Sequence, residues 1–125
     1  MHELADTERL LEVVLHQARA AKARRVAALH LVIGQATTVA EDSVRFYWDS
    51  VSRGTVAEGA RLLFRHVPTE LLCLNCQRHY TPAQADPTCP ACGSLRVRPV
   101  AGEEFYLEAI DIESMDGIVP TPTVH

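Results

Sequence analysis

The sequence predicts an α+β fold: two helices on a small mixed three-stranded sheet, with an inserted four-cysteine zinc-ribbon module. Three observations predict it. Apolar residues recur at helical spacing in two stretches. Aliphatic and β-branched runs of strand length alternate with those stretches. All four cysteines of the 125-residue chain lie in two CxxC pairs, Cys73/Cys76 and Cys89/Cys92.

The elements follow in order. Residues 3 to about 23 read as an amphipathic helix with Leu4, Leu11, Val14, Leu15 and Ala18 as its apolar stripe,. Acidic residues open it and Lys22, Arg24 and Arg25 close it, as the macrodipole favours,. "RVAALHLVIG" (25–34) is a strand closed by Gly34, with Leu29, Leu31 and Ile33 on one face,. Thr38-Val-Ala-Glu41 matches a capping box, so a second helix should start there,. Val44, Tyr47, Trp48 and Val51 form its buried stripe, and Gly54 stops it,. "ARLLFRHV" (60–67) is a second strand and "EEFYLEAIDIE" (103–113) a third,. The tail "GIVPTPTVH" has two prolines and little pattern, and is expected to be loose,. Residues 1–68 and 101–125 are expected to form one α/β domain, interrupted by a cysteine module over 69–100.

Composition narrows the function. Hydrophobic residues make up 47% of the chain, enough for a modest core. No run approaches the roughly 20 apolar residues that span a bilayer, so no membrane role is expected. The formal net charge of -4 disfavours a surface that neutralises phosphates, and with it nucleic acid,. The first ten residues hold Glu3, Asp6, Glu8 and Arg9 and lack the apolar run of an export signal,. Met1 is therefore expected to be the mature start and the compartment to be the cytoplasm. In a reducing compartment cysteines serve metal more often than disulfides. There is no phosphate loop GxxxxGK[ST] and no HExxH, and no nucleophile motif argues for an enzyme,.

Cys73-Leu-Asn-Cys76, twelve residues (77–88), then Cys89-Pro-Ala-Cys92-Gly is the spacing of a zinc ribbon,. Four thiolates surround one tetrahedral Zn²⁺ at about 2.3 Å each. A two-residue gap lets the backbone fold over the metal with its N–H groups aimed at sulfur, and Gly93 permits the tight turn. Metal binding then supplies the folding free energy that a segment poor in aliphatic residues lacks. A closed site of four thiolates has no open position for water, so it predicts structure rather than catalysis. His79 lies close enough in sequence to support a zinc ligand from behind.

Met1-His2-Glu3 raises a different chemistry. The Met1 α-amine, the His2 amide nitrogen and the His2 ring Nδ1 close adjoining five- and six-membered chelate rings, three nitrogens in one plane. Such tetragonal nitrogen sites suit Ni(II) or Cu(II). The fourth place falls to the Glu3 carboxylate, an acidic group near Glu41 or Asp42, water, or a partner's ligand. Taken alone, a histidine near a chain start is more often a solvated side chain.

The chain resembles the HypA/HybF family of hydrogenase-maturation nickel metallochaperones. "MHE", "LVIG", "AED", "GTVAEGA" (54–60), the CxxC…CPxCGS module (73–94) and "GEEFYLEAIDIE" carry the resemblance in the family's order. The resemblance implies Ni²⁺ as cargo at Met1, His2 and Glu3, and structural Zn²⁺ at Cys73, Cys76, Cys89 and Cys92. It also implies delivery to the large-subunit precursor of [NiFe]-hydrogenase together with a maturation GTPase of the HypB type. Glu41 and Asp42 fall where some relatives have an acidic residue near nickel. Some relatives carry a long, histidine-bearing insertion between the CxxC pairs; this chain has only residues 77–88 there. Two rivals remain on sequence grounds: a zinc-ribbon adaptor that binds protein without nickel, and a small redox protein, which would need an accessible low-pKa cysteine.

Overall fold

In the computed structural model the described residues are 3–83 and 86–114, with the backbone of 117–120. Helix α1 spans Glu3–Ala20 and buries Thr7, Leu10, Val14 and Ala18. The apolar stripe is thus turned from the one expected. Leu4 is exposed, and Leu11 and Leu15 only flank the core. Thr7 tolerates burial because its hydroxyl donates to the Glu3 carbonyl one turn back,. The helix also stops earlier than its charge pattern suggested. Ala23 N–H donates to Ala18 C=O and Lys22 N–H to Arg19 C=O, a Schellman ending with Lys22 at φ 55°,. Lysine stands where glycine is usual, so the sequence carries no stop signal there.

Strand β1 (Arg25–Gly34) follows, then helix α2 (Glu41–Val51) and strand β2 (Arg61–Val67). The expected capping box does not form. Ala40 is the N-cap, no side chain caps the helix, and the Glu41 carboxylate accepts from Arg45 one turn on. Val44 and Trp48 are buried as expected. The Trp48 Nε1–H is buried without a partner among the described residues.

Strand β6 (Phe105–Ser114) and strand β7 (Gly117–Pro120) complete a four-stranded sheet in the order β2-β1-β6-β7. The start of the tail therefore pairs with β6, antiparallel, from Ser114↔Gly117 to Asp111↔Pro120. Residues 121–125 lie outside the described residues. Arg24 N–H bonds Glu113 O and Gly34 N–H bonds Glu104 O, so β1 runs antiparallel to β6. Gln35 N–H bonds Val67 O, which sets the C-terminal ends of β1 and β2 side by side. A helical crossover between parallel neighbours gives that arrangement. The sheet is mixed, as expected, with one strand more. Its core joins Val14, Val26, Leu29, Leu31, Trp48 and Ile110. Arg25–Glu113, His30–Asp111 and Arg65–Glu108 pair across the strands.

The chain divides into two compact units. One holds Met1–Val32, Val39–Arg65 and Phe105–His125; the other holds Ile33–Thr38 and His66–Glu104. The second unit has its own sheet, β4-β3-β5, from β3 (Glu70–Cys73), β4 (His79–Tyr80) and β5 (Val97–Ala101). Within it, Ala36 N–H donates to Gly102 O at 2.6 Å. A Cβ at Gly34 would lie 2.0 Å from that same oxygen, so the backbones approach as only glycine allows,. No helix among the described residues is long and apolar enough to cross a membrane.

Candidate metal centre

The two CxxC segments fold alike. Gln77 N–H donates to Cys73 O and Gly93 N–H to Cys89 O, both at 2.9 Å. Cys73 N–H donates to Arg78 O at 2.9 Å and Cys89 N–H to Ser94 O at 3.0 Å. The fifth residue of each turn is left-handed, Gln77 at φ 66° and Gly93 at φ 72°. Each knuckle is thus one backbone motif, built twice. Asp86 sets up the second: its carboxylate accepts the Thr88 N–H at 3.0 Å just before Cys89.

These turns bring four sulfurs together. All four Sγ atoms lie within 4.8 Å of one another. Cys73 and Cys92 are 3.6 Å apart, and Cys76 and Cys89 3.7 Å. Zinc–sulfur bonds of about 2.3 Å in a tetrahedron require sulfur separations of about 3.8 Å. The donor set therefore fits Zn²⁺ in number, kind and spacing. All four cysteines are free thiols rather than disulfides.

Electrostatics point the same way. The Cys76 backbone N–H, foremost, pulls the Cys73 thiol down to about 6 against the effect of burial. At Cys89 burial is the largest influence and raises the thiol, but the N–H groups of Cys92 and Ala91 outweigh it and set it below its ordinary value. At Cys76 the Arg78 N–H lowers the thiol, yet burial and the three neighbouring sulfurs push it up to about 11. The backbone can hold some negative charge on this cluster but not a charge on every sulfur. A divalent cation bound by Cys73, Cys76, Cys89 and Cys92 would remove that limit and hold all four as thiolates.

The second core is small: Leu71, Cys73, Tyr80 and Cys89, with Val97 packed against them. Cys73 and Cys89 are buried, whereas Cys76 and Cys92 are exposed. His79 does not support a sulfur. It is exposed, and its Nδ1 lies 2.8 Å from Glu70 Oε2. The residue that does reach sulfur is Asn75, whose Nδ2 donates to Cys92 Sγ at 3.6 Å. Sequence reasoning passed over it, although a side-chain amide between two ligands was the available signal.

Of the N-terminal candidates, Met1 and His2 lie outside the described residues. Glu3 is the first residue of α1, and Glu41 and Asp42 form the first turn of α2. The two helices pack against each other. Glu41 is engaged with Arg45, and Asp42 is exposed.

The chain matches over residues 1–112 the family model described as hydrogenase/urease nickel incorporation, metallochaperone, hypA. It is 39% identical over 113 residues to the hydrogenase maturation factor HypA of Dehalococcoides mccartyi, covering 90% of this chain and 95% of that one. It is 36% identical over 114 residues to the protein of that name from Caldanaerobacter subterraneus, covering 90% and 100%. Its fold is shared with the solution structure of the Ni metallochaperone HypA from Helicobacter pylori, at TM-score 0.65 and 21% identity, over 90% of this chain and 97% of that one. Taken with the two-knuckle cysteine cluster, a match that begins at the first residue and runs through both units leaves one assignment: the chain belongs to the HypA family of nickel-incorporation metallochaperones.

Proposed function

We propose that this chain carries Ni(II) at its N-terminus and delivers it to the large-subunit precursor of a [NiFe]-hydrogenase, working with a maturation GTPase of the HypB type in the cytoplasm. The observation that carries this reading is a family match that starts at Met1 and so includes Met1-His2-Glu3. The cargo is held by the Met1 amine, the His2 amide nitrogen and the His2 ring Nδ1, with Glu3 beside them. Three nitrogens in one plane suit Ni(II), and the remaining position leaves room for the acceptor's ligand. All three nitrogens bind only when deprotonated, so acid releases the cargo. The chain acts as a carrier, not an enzyme.

The zinc role falls to Cys73, Cys76, Cys89 and Cys92. Bound there, Zn²⁺ supplies a crosslink in place of a hydrophobic core. Labour is divided between a nickel-binding part (1–68 and 101–125) and a zinc module (69–100).

The test is nickel titration of untagged, zinc-loaded chain by absorbance and calorimetry, with His2→Ala beside it. We expect one Ni²⁺ per chain, a square-planar d–d band, and loss of both in the variant with zinc retained. A tag placed before Met1 should weaken nickel by removing the free amine. No saturable nickel binding, with zinc intact, would overturn the carrier reading and leave a zinc-ribbon adaptor.

A further inference from the structure

Strand β7 lies beyond the family match, which ends at residue 112. It pairs with β6 in the register Ser114↔Gly117, Glu113↔Ile118, Ile112↔Val119 and Asp111↔Pro120. Only two residues separate Ser114 from Gly117, so this closing pair is hydrogen-bonded,. Hydrogen-bonded pairs alternate along an antiparallel ladder, so Ile112↔Val119 is the next one. The backbone groups of Gly117 and Val119 thus face β6, and those of Ile118 and Pro120 face away. Proline has no N–H, so the outward edge of Gly117–Pro120 offers one N–H, at Ile118,. β6 makes a very different edge. It is 10 residues long, Phe105–Ser114, with β1 on its other side. Long edge strands are usually guarded by charged side chains. Here the carboxylates of Glu108, Asp111 and Glu113 are already paired across the sheet with Arg65, His30 and Arg25.

We propose that β7 is a guard strand: it holds the edge of β6 that would otherwise pair with β6 of a second copy of this chain. Antiparallel pairing of a strand with its own copy is self-complementary about a two-fold axis, so every molecule with a bare β6 meets a matching one. β7 replaces a long edge rich in backbone donors with a short one that ends in proline. Both are recognised means of stopping sheets from joining edge to edge. The guard is held by four residue pairs, so loss of one inward hydrogen bond is a large part of its hold,. None of these residues is a proposed metal ligand, so the failure of this inference and that of the carrier reading are separate results.

The experiment compares two proline variants of the zinc-loaded full chain. Val119→Pro removes an N–H that faces β6, whereas Ile118→Pro removes one that faces away. Sedimentation velocity over a concentration series reads association, and amide hydrogen exchange reads the edge of β6. In dilute Val119→Pro the Ile112 amide should exchange about tenfold faster than in the parent. The same variant should form a dimer at concentrations about tenfold below any at which the parent associates. In that dimer the Ile112 and Ser114 amides should be protected again. Ile118→Pro should match the parent in both readouts. The proposal is overturned if Val119→Pro associates no more than the parent, or if Ile118→Pro associates as readily. It is equally overturned if the dimer leaves the Ile112 and Ser114 amides fast, which would place the contact on another surface. Loss of zinc or of helical signal in Val119→Pro would show that β7 supports the whole fold, and would also overturn it.

Discussion

The two knuckles permit a sharp test, because they share one backbone hydrogen-bond pattern and place different residues at its left-handed position. Gly93 at φ 72° and Gln77 at φ 66° occupy the same left-handed place in each turn. A Cβ added at Gly93 meets nothing within 4 Å, so Gly93→Ala isolates the backbone effect. The left-handed conformation costs an L residue about 1–2 kcal/mol. Stiffening the unfolded chain returns about 0.4–1 kcal/mol. The net is a loss of about 1 kcal/mol. Zinc binding and module folding are one equilibrium, so the loss reads out as affinity. At about 1.4 kcal/mol per decade it weakens zinc roughly fivefold. The reverse change, Gln77→Gly, should tighten zinc by less, since it also removes the Gln77 Nε2 bond to Leu74 O at 3.3 Å. Competition against a chromophoric chelator measures both. Equal affinities for Gly93→Ala and the parent chain would refute the claim that this turn needs a left-handed residue.

Further outcomes follow from the same structure. Gly34→Ala drives a methyl into the Gly102 carbonyl and should destabilise by about 3 kcal/mol or more, seen as a lower thermal midpoint,. A midpoint within a degree of the parent would mean that residues 34 and 102 are not packed as described. Cys73→Ala removes a buried ligand and should abolish stoichiometric zinc by mass spectrometry; a normal zinc content would remove Cys73 from the ligand set. His79→Ala should leave zinc affinity unchanged, because its ring engages Glu70 and not sulfur. A large drop in the chelator assay would restore it as a supporting residue.

What could be read from the sequence was what repeats. Val44 and Trp48 are buried one turn apart, as the helical period requires, whereas β1 is recognisable by its aliphatic run alone, since Val26, Ala28, Leu29, Leu31 and Val32 are buried on both of its faces,. The cysteines were legible because a CxxC turn aims two sulfurs at one point, and two such turns bring four donors together,. The rest depends on partners distant in sequence. β4 is only His79–Tyr80, too short for any alternation, and it exists because β3 is there to pair with it. The requirement for glycine at 34 comes from residue 102, which no local pattern encodes. Thr7 is a core residue because its hydroxyl finds a carbonyl on its own helix, which disguises a polar side chain as an apolar one. Helix α2 begins without a side-chain cap, so the Thr38 signal pointed to a motif the backbone did not use.

The second unit also predicts how loss of zinc should spread. Among the described residues its core cluster has four buried members, and two of them, Cys73 and Cys89, belong to the four-cysteine cluster proposed to hold zinc. Without the metal, Leu71 and Tyr80 remain to hold a sheet whose sulfurs repel one another. That is too little apolar burial to offset the ordering of its backbone. The segment Ile33–Thr38 belongs to this unit, yet it is continuous with β1. Its amides are held by partners within the unit: Gly34 by Glu104, Gln35 by Val67 and Ala36 by Gly102. Leu29 and Leu31 sit instead in the larger core with Trp48 and Ile110. Chelation should therefore speed hydrogen exchange at Gly34–Ala36 and throughout β3 and β5, and leave Leu29 and Leu31 protected. Exchange that accelerates equally along the whole of β1 would show that the two units unfold as one, with the metal holding the larger core as firmly as its own.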